Sequence, residues 1–162
     1  MADTSGEPTG FDDFDRVVSS LNKNGADYLI IGGYAVIFYG HVRNTKDLDI
    51  LIRGTPENAR KAVAALEEAG FACPELTPEL FTTGQGITFG EPPMRIDVLS
   101  RIAGVSFDDA WSRRQESRFG AFKASFIGLD DLITNKQAAG RSSDLVDVER
   151  LKLARERTPP AQ

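Results

Sequence analysis

A mixed α/β (α+β) fold, with a central sheet flanked by helices, is what this sequence predicts. Short apolar runs that suit buried strands alternate with segments whose apolar residues recur every three to four positions, as in amphipathic helices. Glycine- and proline-containing turns separate these segments, and no internal repeat is present. The last helical segments follow the final strands, so we expect them to form a short C-terminal helical lid over the sheet.

The composition suits one cytoplasmic domain. The chain has 162 residues, of which 41% are hydrophobic and 27% charged. A chain of this length can bury a stable hydrophobic core without disulfides or a structural metal. A single cysteine, Cys73, excludes an intrachain disulfide, and a single histidine, His41, argues against a zinc site. The polar N-terminus does not look like a signal peptide, and no apolar stretch is long enough to span a membrane.

The net charge of −5 gives the whole molecule no attraction for polyanions. The charge is uneven, however. Residues 1–100 carry 8 Lys and Arg against 15 Asp and Glu, and residues 101–162 carry 11 against 9. Metal ions bound in the acidic half would offset its charge, so nucleic acid is not excluded as a substrate.

The first half of the chain predicts helix, strand, short helix and strand. Their bounds are, in order, 11–23, 28–31, 34–39 and 47–52. Residues 1–10 form a polar lead that we expect to be disordered. The first strand ends at Gly32-Gly33. In the second strand Asp47 and Asp49 alternate with apolar residues, so the two acids share one face.

The second half begins with a helix that Thr55 caps and Gly70 ends. Residues 72–86 look like a loop. The later elements are a hairpin over 87–89 and 94–99, a short helix over 107–114, two short strands within 117–127, and closing helices over 129–139 and 143–156. We therefore expect one domain over residues 11–157. Residues 11–127 would form its catalytic core, and residues 128–157 its C-terminal helices.

Asp47-Leu48-Asp49 is the first segment whose side chains suit metal binding or catalysis. The two carboxylates lie on one strand face, roughly 7 Å apart along the chain, and they repel each other unless the face is wet or a cation lies between them. Magnesium prefers such hard oxygen ligands. The alternative is an ordinary solvated strand face or turn.

Gly32-Gly33 follows a buried strand directly. Paired glycines let the backbone pass close to a phosphate, whose oxygens the turn amides can bind. The alternative is a plain tight turn. No Gly-Lys-Ser/Thr follows, and the pattern G-x-G-x-x-G is absent.

Asp97 alternates with the apolar residues Met94, Ile96 and Val98 in the second strand of the hairpin. Alone, it would be an edge or surface residue. Beside Asp-x-Asp, a third carboxylate completes a two-metal site. We expect all three acids on adjacent strands, with their carboxylates converging beside the glycine pair.

These pieces together resemble the signature of the polymerase-beta-type nucleotidyltransferase superfamily. A hydrophobic residue and Gly-Gly at 31–33 precede Asp-Leu-Asp-Ile at 47–50 by a spacer of thirteen residues. The wider string, GGYAVIFYGHVRNTKDLDI, resembles the small bacterial nucleotidyltransferases of abortive-infection and toxin–antitoxin systems. So does a C-terminal run that includes Lys136, Gly140-Arg141, Asp144 and Asp147.

The resemblance implies a nucleotidyltransferase fold and a site for two Mg²⁺ ions, with Mn²⁺ as a substitute. Gly32 and Gly33 would cradle the triphosphate of an NTP. Asp47 and Asp49 would bind both metals. Asp97 would bind the catalytic metal and polarise the acceptor hydroxyl.

Five further residues have implied or alternative roles. Lys136 matches a phosphate-binding lysine, with a solvated helix lysine as the alternative. Arg43 and Thr45 would contact phosphate or brace the loop before the acids. Arg141 and Asp144 could equally be a structural ion pair near a helix break.

The resemblance predicts a magnesium-dependent enzyme that transfers NMP from an NTP to a hydroxyl and releases pyrophosphate. About sixty residues follow Asp97, which is too few for a separate acceptor domain. We therefore expect a macromolecular acceptor, a tRNA end or a protein side chain, and a partner protein of a toxin–antitoxin pair. The alternatives are small-molecule transfer, as in aminoglycoside nucleotidyltransferases, and a non-catalytic regulatory module, which the retained acids disfavour.

Overall fold

The computed structural model describes residues 10–40, 45–91 and 94–157. The helices in this part are α1 (Gly10–Lys23), α2 (Gly32–Phe38), α3 (Pro56–Glu68), α4 (Pro78–Thr82), α5 (Phe107–Ser112), α6 (Leu129–Ala139) and α7 (Ser142–Arg157). The strands are β1 (Tyr28–Ile31), β2 (Asp47–Ile52), β3 (Ile87–Glu91), β4 (Met94–Leu99), β5 (Gln115–Phe119) and β6 (Phe122–Phe126). Within these ranges no helix is both long and apolar enough to cross a membrane.

The six strands form one mixed sheet in the order β3-β4-β2-β1-β6-β5. The central strands β1 and β2 are antiparallel, whereas β2 with β4 and β1 with β6 are parallel. Antiparallel hairpins, β3 with β4 and β5 with β6, complete the two edges. The predicted fold class, a mixed sheet with flanking helices, is confirmed.

Each face of the sheet buries its own core. Because side chains alternate along a strand, Leu48, Ile50 and Ile52 of β2 pack towards α1 and α3, while Leu51 packs on the opposite face with α6 and α7. Asp47 and Asp49 lie four and two residues before Leu51 on the same strand, so their side chains share its face of the sheet. The acids therefore lie on the face that the C-terminal helices cover.

One predicted loop contains a helix. Residues 72–86 include α4, which begins with a proline after Thr77 and buries Phe81 against the core. Proline suits the first turn of a helix, and the buried aromatic ring supplies the packing that fixes this short segment. Its brevity explains why periodicity did not indicate it.

The break between the closing helices has a defined geometry. Gly140 ends α6 in the left-handed region, with φ of +69°, and its N–H donates to the carbonyl of Lys136. Glycine adopts this conformation without the steric cost of a Cβ. Helix α7 then folds back along α6 and brings its first turns to the same cavity as the acids.

Candidate active site

A cavity of about 460 Å³ lies between the sheet and helices α6 and α7. Three groups of residues line it: the glycines after β1, charged side chains of β2 and β4, and polar side chains from α6 and the start of α7. The predicted site residues among them are Gly32, Gly33, Thr45, Asp47, Asp49, Asp97 and Lys136. The structure thus brings together every predicted site residue that it describes. The remaining one, Arg43, lies outside the described residues, as does His41.

The register between β2 and β4 sets the carboxylate geometry. These strands are parallel, with Asp49 opposite Asp97 and Asp47 opposite Arg95. Asp49 and Asp97 share a side-chain hydrogen bond. Asp97 also accepts a hydrogen bond of 2.5 Å from the Thr88 hydroxyl on β3. The three acids therefore lie on adjacent strands, and Asp49 and Asp97 interact directly, but the three carboxylates do not form one cluster.

Asp49 is the acid whose environment disfavours its charge. Burial, the hydrogen bond with Asp97 and the negative charges of Asp97 and Asp47 together raise the pKa of Asp49 to about 7, although Lys136 acts in the opposite direction. A cation at this position would favour the ionised form of Asp49.

Asp47 is engaged by an arginine. Nη2 of Arg95 lies 3.3 Å from Oδ2 of Asp47 and 3.8 Å from Oδ2 of Asp97. Arg95 is a site residue that sequence reasoning missed. The available signal was its parity: it lies two residues before Asp97, so their side chains share a sheet face.

The donor set suits a hard divalent cation, although the carboxylates are not yet arranged as ligands. In residues 10–40, 45–91 and 94–157, no three acidic, histidine or cysteine side chains form a metal-binding group. Asp47 is instead paired with Arg95, and Asp97 with Thr88. Adjacent carboxylates that oppose each other's ionisation are nevertheless the oxygen donors that Mg²⁺ favours. The type of donor therefore fits magnesium.

The glycine pair lets the backbone approach two site residues. Gly32 has φ of +68°, and a Cβ there would lie 2.2 Å from Oδ2 of Asp49. A Cβ on Gly33 would lie 2.5 Å from the Thr45 hydroxyl oxygen. The Thr45 hydroxyl itself donates to the carbonyl of Asp47, so Thr45 braces the start of β2. Any side chain at either glycine would displace the residues that form the cavity wall.

Lys136 is buried, so the alternative of a solvated helix lysine is wrong. Its residue exposure is 7%, and its Nζ lies 3.0 Å from Asp147 and 3.3 Å from Asp144. These two acids come from α7, which is why spacing within α6 gave no indication of the pairing. The ammonium therefore joins α6 to α7 at the back of the cavity.

Arg141 and Asp144 form the ion pair that the sequence offered as one alternative. Nε of Arg141 donates to Asp144 at 2.7 Å. Burial tends to raise the pKa of Asp144, but hydrogen bonds and positive charge from Arg141 and Lys136 lower it below its ordinary value. Asp144 is thus an ionised, buried counter-ion shared by two cations.

Comparison with known proteins gives a family match. A family model described as "Nucleotidyltransferase of unknown function (DUF6036)" matches residues 11–157. No curated protein matches the sequence significantly.

Solved structures share the fold at low identity. The lincosamide antibiotic adenylyltransferase LnuA, with lincomycin bound, is 14% identical over 87% of this chain and 95% of its own, with a TM-score of 0.54. ANT(2″)-Ia, in complex with adenylyl-2″-tobramycin, is 12% identical over 92% and 96%, with a TM-score of 0.56. A putative nucleotidyltransferase from Thermotoga maritima is 13% identical over 88% of each chain, with a TM-score of 0.52. At these identities the likeness shows the fold alone.

Proposed function

This chain belongs to the DUF6036 family of nucleotidyltransferases, and we propose that it transfers NMP from an NTP to an acceptor hydroxyl with the help of two Mg²⁺ ions. The observation that carries the proposal is the contact of Asp49 with Asp97 across β2 and β4, in the cavity that the glycine pair also lines. A structural role alone would not favour two half-buried acids held against each other.

Asp47, Asp49 and Asp97 would hold the metal ions, for which Mn²⁺ can substitute. When bound, the ions would lower the pKa of the acceptor hydroxyl and neutralise charge on the triphosphate and on the leaving pyrophosphate. The acceptor oxygen bonds to the α-phosphorus, and the bond from that phosphorus to the pyrophosphate oxygen breaks. Asp97, which the Thr88 hydroxyl orients, polarises the acceptor hydroxyl and takes up its proton.

Lys136 supplies positive charge at the back of the cavity. An ammonium group has three N–H donors, and the two acids of α7 account for two of them. The third can reach a phosphate oxygen. The backbone at Gly32 and Gly33 lines the same cavity and would cradle the triphosphate. Arg43 and Thr45 complete the proposed nucleotide contacts.

The charges at the open side of the cavity favour a macromolecular acceptor, a tRNA end or a protein side chain, over a polycation. Arg101 is exposed there, and the Arg141 side chain is 76% exposed. Asp144, the partner of Arg141, is buried. A polycationic aminoglycoside such as tobramycin would meet like charge at this rim.

A small-molecule acceptor is the second candidate, because the length of this chain does not argue against it. The sequence led us to expect that small-molecule transfer needs an additional domain. The two antibiotic-related structures are matched over 95% and 96% of their own lengths, so they contain little beyond what this chain covers. Chain length therefore does not separate the two acceptor classes.

We further propose a cytoplasmic enzyme with one domain over residues 11–157, acting in a toxin–antitoxin pair. This part depends on the resemblance of the motifs. A small helical protein encoded by the adjacent gene is the expected partner. A purified pair that forms no complex would contradict it.

Transfer assays test the reaction and the acceptor together. Each labelled NTP is incubated with total tRNA, with lysate protein, with an aminoglycoside or with a lincosamide, with and without Mg²⁺. We expect magnesium-dependent label on a macromolecule, no label with Asp49→Asn, and full labelling with Glu75→Gln, an exposed site outside the cavity. Label on the lincosamide alone would show that the acceptor is a small molecule and not a macromolecule. No label with any NTP would contradict the enzyme.

A further inference from the structure

We propose that Arg95 is an internal counter-ion that holds the metal-free site and moves to the triphosphate when the metal–nucleotide complex binds. The inference rests on the proposed function and adds a role for a residue that the motifs do not assign. Arg95 would compete with the metal for Asp47 and Asp97 in the free enzyme. In the loaded enzyme it would contact the substrate.

The contacts of Arg95 place a positive charge among the acids. Arg95 stands opposite Asp47 across β2 and β4, and its Nη2 lies within 4 Å of carboxylate oxygens on Asp47 and Asp97. These are two of the three carboxylates that the metals require. A divalent cation that used the same oxygens would lie beside the guanidinium, and like charges at that distance repel. Metal and guanidinium therefore bind these acids in competition.

One donor of Arg95, the Nε–H, indicates a missing acceptor. Its Nε is buried and has no hydrogen-bond partner among the residues that the structure describes. Other arginines in this fold use that atom: for example, Nε of Arg53 donates to Asp27 at 2.9 Å, and Nε of Arg141 to Asp144 at 2.7 Å. A buried N–H without an acceptor is unfavourable. An arginine held only for stability would be expected to satisfy it.

A phosphate group would meet this need. Arg95 lines the same cavity as Gly32, Gly33 and Lys136, and its side chain is 39% exposed. The guanidinium fork binds two oxygens of one phosphate at once, through Nε and one Nη. A rotation away from Asp47 would free that carboxylate for metal and offer both nitrogens to the triphosphate. The same movement thus removes a competitor and adds a contact.

The test measures metal alone and metal with nucleotide as two separate affinities. Mn²⁺ binding is followed by electron paramagnetic resonance, first without nucleotide and then with a non-hydrolysable ATP analogue. The variant is Arg95→Met, which keeps most of the side-chain length without the charge. Arg60→Met removes an exposed charge on α3, away from the cavity, and serves as the matched control.

We expect opposite effects on the two affinities. Arg95→Met should bind Mn²⁺ alone at least about threefold more tightly than wild type, because the competing charge is gone. It should bind the Mn²⁺–analogue complex about tenfold more weakly, because a charge-assisted contact is lost. Arg60→Met should change neither. A purely structural arginine would move both affinities in the same direction, and that result would overturn the proposal.

If thermal unfolding shows that Arg95→Met is misfolded, a second variant still tests the proposal. Arg95→Lys keeps the charge but not the two-nitrogen fork. It should bind Mn²⁺ alone as wild type does and the Mn²⁺–analogue complex more weakly. Unchanged analogue affinity would overturn the proposal. If wild type itself binds no Mn²⁺–analogue complex, both this inference and the proposed function fail, whereas an Arg95 result alone leaves the proposed function standing.

Discussion

Asp49 and Asp97 face each other across the parallel strands β2 and β4, and their carboxyl groups share a hydrogen bond. Such a contact requires a proton between two groups that are ordinarily ionised at neutral pH. Loss of this proton should therefore lower the stability of the folded, metal-free protein.

The stability of metal-free wild type should fall as the pH rises from about 4 to above 7. The pKa of Asp49 is raised to about 7 in the folded state, from 3.8. Folded protein therefore binds more protons than unfolded protein in this window, and its contribution to stability is present at low pH and lost as the pH rises through 7. Asp49→Asn does not titrate, so at pH 8 it should exceed wild type by on the order of 2 kcal/mol. Denaturant unfolding of both proteins between pH 4 and 9 measures this. An Asp49→Asn protein less stable than wild type at pH 8 would identify Asp49 as a structural acid.

Metal and nucleotide should reverse that order. Mg²⁺ with NTP binds the folded state and should raise the melting temperature of wild type, since ligand at one hundred times its Kd stabilises by about 2.7 kcal/mol. Asp49→Asn and Asp97→Asn should respond much less and should lose transfer activity. Thermal-shift series with and without Mg²⁺ and each NTP provide the measurement. A wild type that is indifferent to every combination would argue against a nucleotide site.

Replacement of Lys136 should affect both folding and binding. Lys136→Met leaves Asp144 and Asp147 buried with less compensation, which should lower the free energy of unfolding by about 3 kcal/mol. Loss of the proposed phosphate contact should weaken NTP binding by about 1.5–3 kcal/mol. Calorimetric titration at a temperature where the variant is folded separates the two effects. Destabilisation with unchanged NTP affinity would restrict Lys136 to joining α6 and α7.

A methyl group at Gly33 should disturb the cavity wall through Thr45. The added Cβ would lie 2.5 Å from the Thr45 hydroxyl, so Gly33→Ala should destabilise the fold by about 1–3 kcal/mol. The double variant Gly33→Ala, Thr45→Ala removes the contact with the hydroxyl but keeps the Thr45 Cβ, 2.9 Å from the added methyl, so it should recover only part of this loss. Gly70→Ala, where the Cβ meets nothing within 4 Å but φ is +100°, reports the cost of backbone strain alone. Failure of the Thr45 change to restore stability would indicate that the backbone at Gly33 is constrained for another reason.

The sequence predicted the carboxylates and glycines well because strand parity determines which side chains share a face. Asp47, Asp49 and Asp97 needed only that parity and the proximity of β2 and β4. The contact between Arg95 and Asp47 was not predictable, because it depends on the register of two strands far apart in the chain. A shift of two residues would keep Arg95 and Asp97 on this face but would place Arg95 opposite Asp49 instead of Asp47.

The pairing of Lys136 required a different kind of information. Spacing within α6 shows only that Lys136 lies near the end of a helix. Its burial follows from how α7 folds back after Gly140 and brings Asp144 and Asp147 alongside. Packing between helices sets that geometry, and the local pattern of either helix does not contain it.

The position of these paired charges late in the chain has a consequence during synthesis. The ribosome completes both strands that bear the carboxylates before it makes α6 and α7. Until α7 emerges, Lys136 lacks its two acids, and Leu29, Ile31 and Leu51 lack the apolar side chains that bury them. A nascent or prematurely terminated chain would therefore carry all three carboxylates on an open sheet face, without an enclosed cleft. Nucleotide transfer would begin only once α7 has emerged and packed, and fragments that end before α7 would be inactive and exposed to proteases.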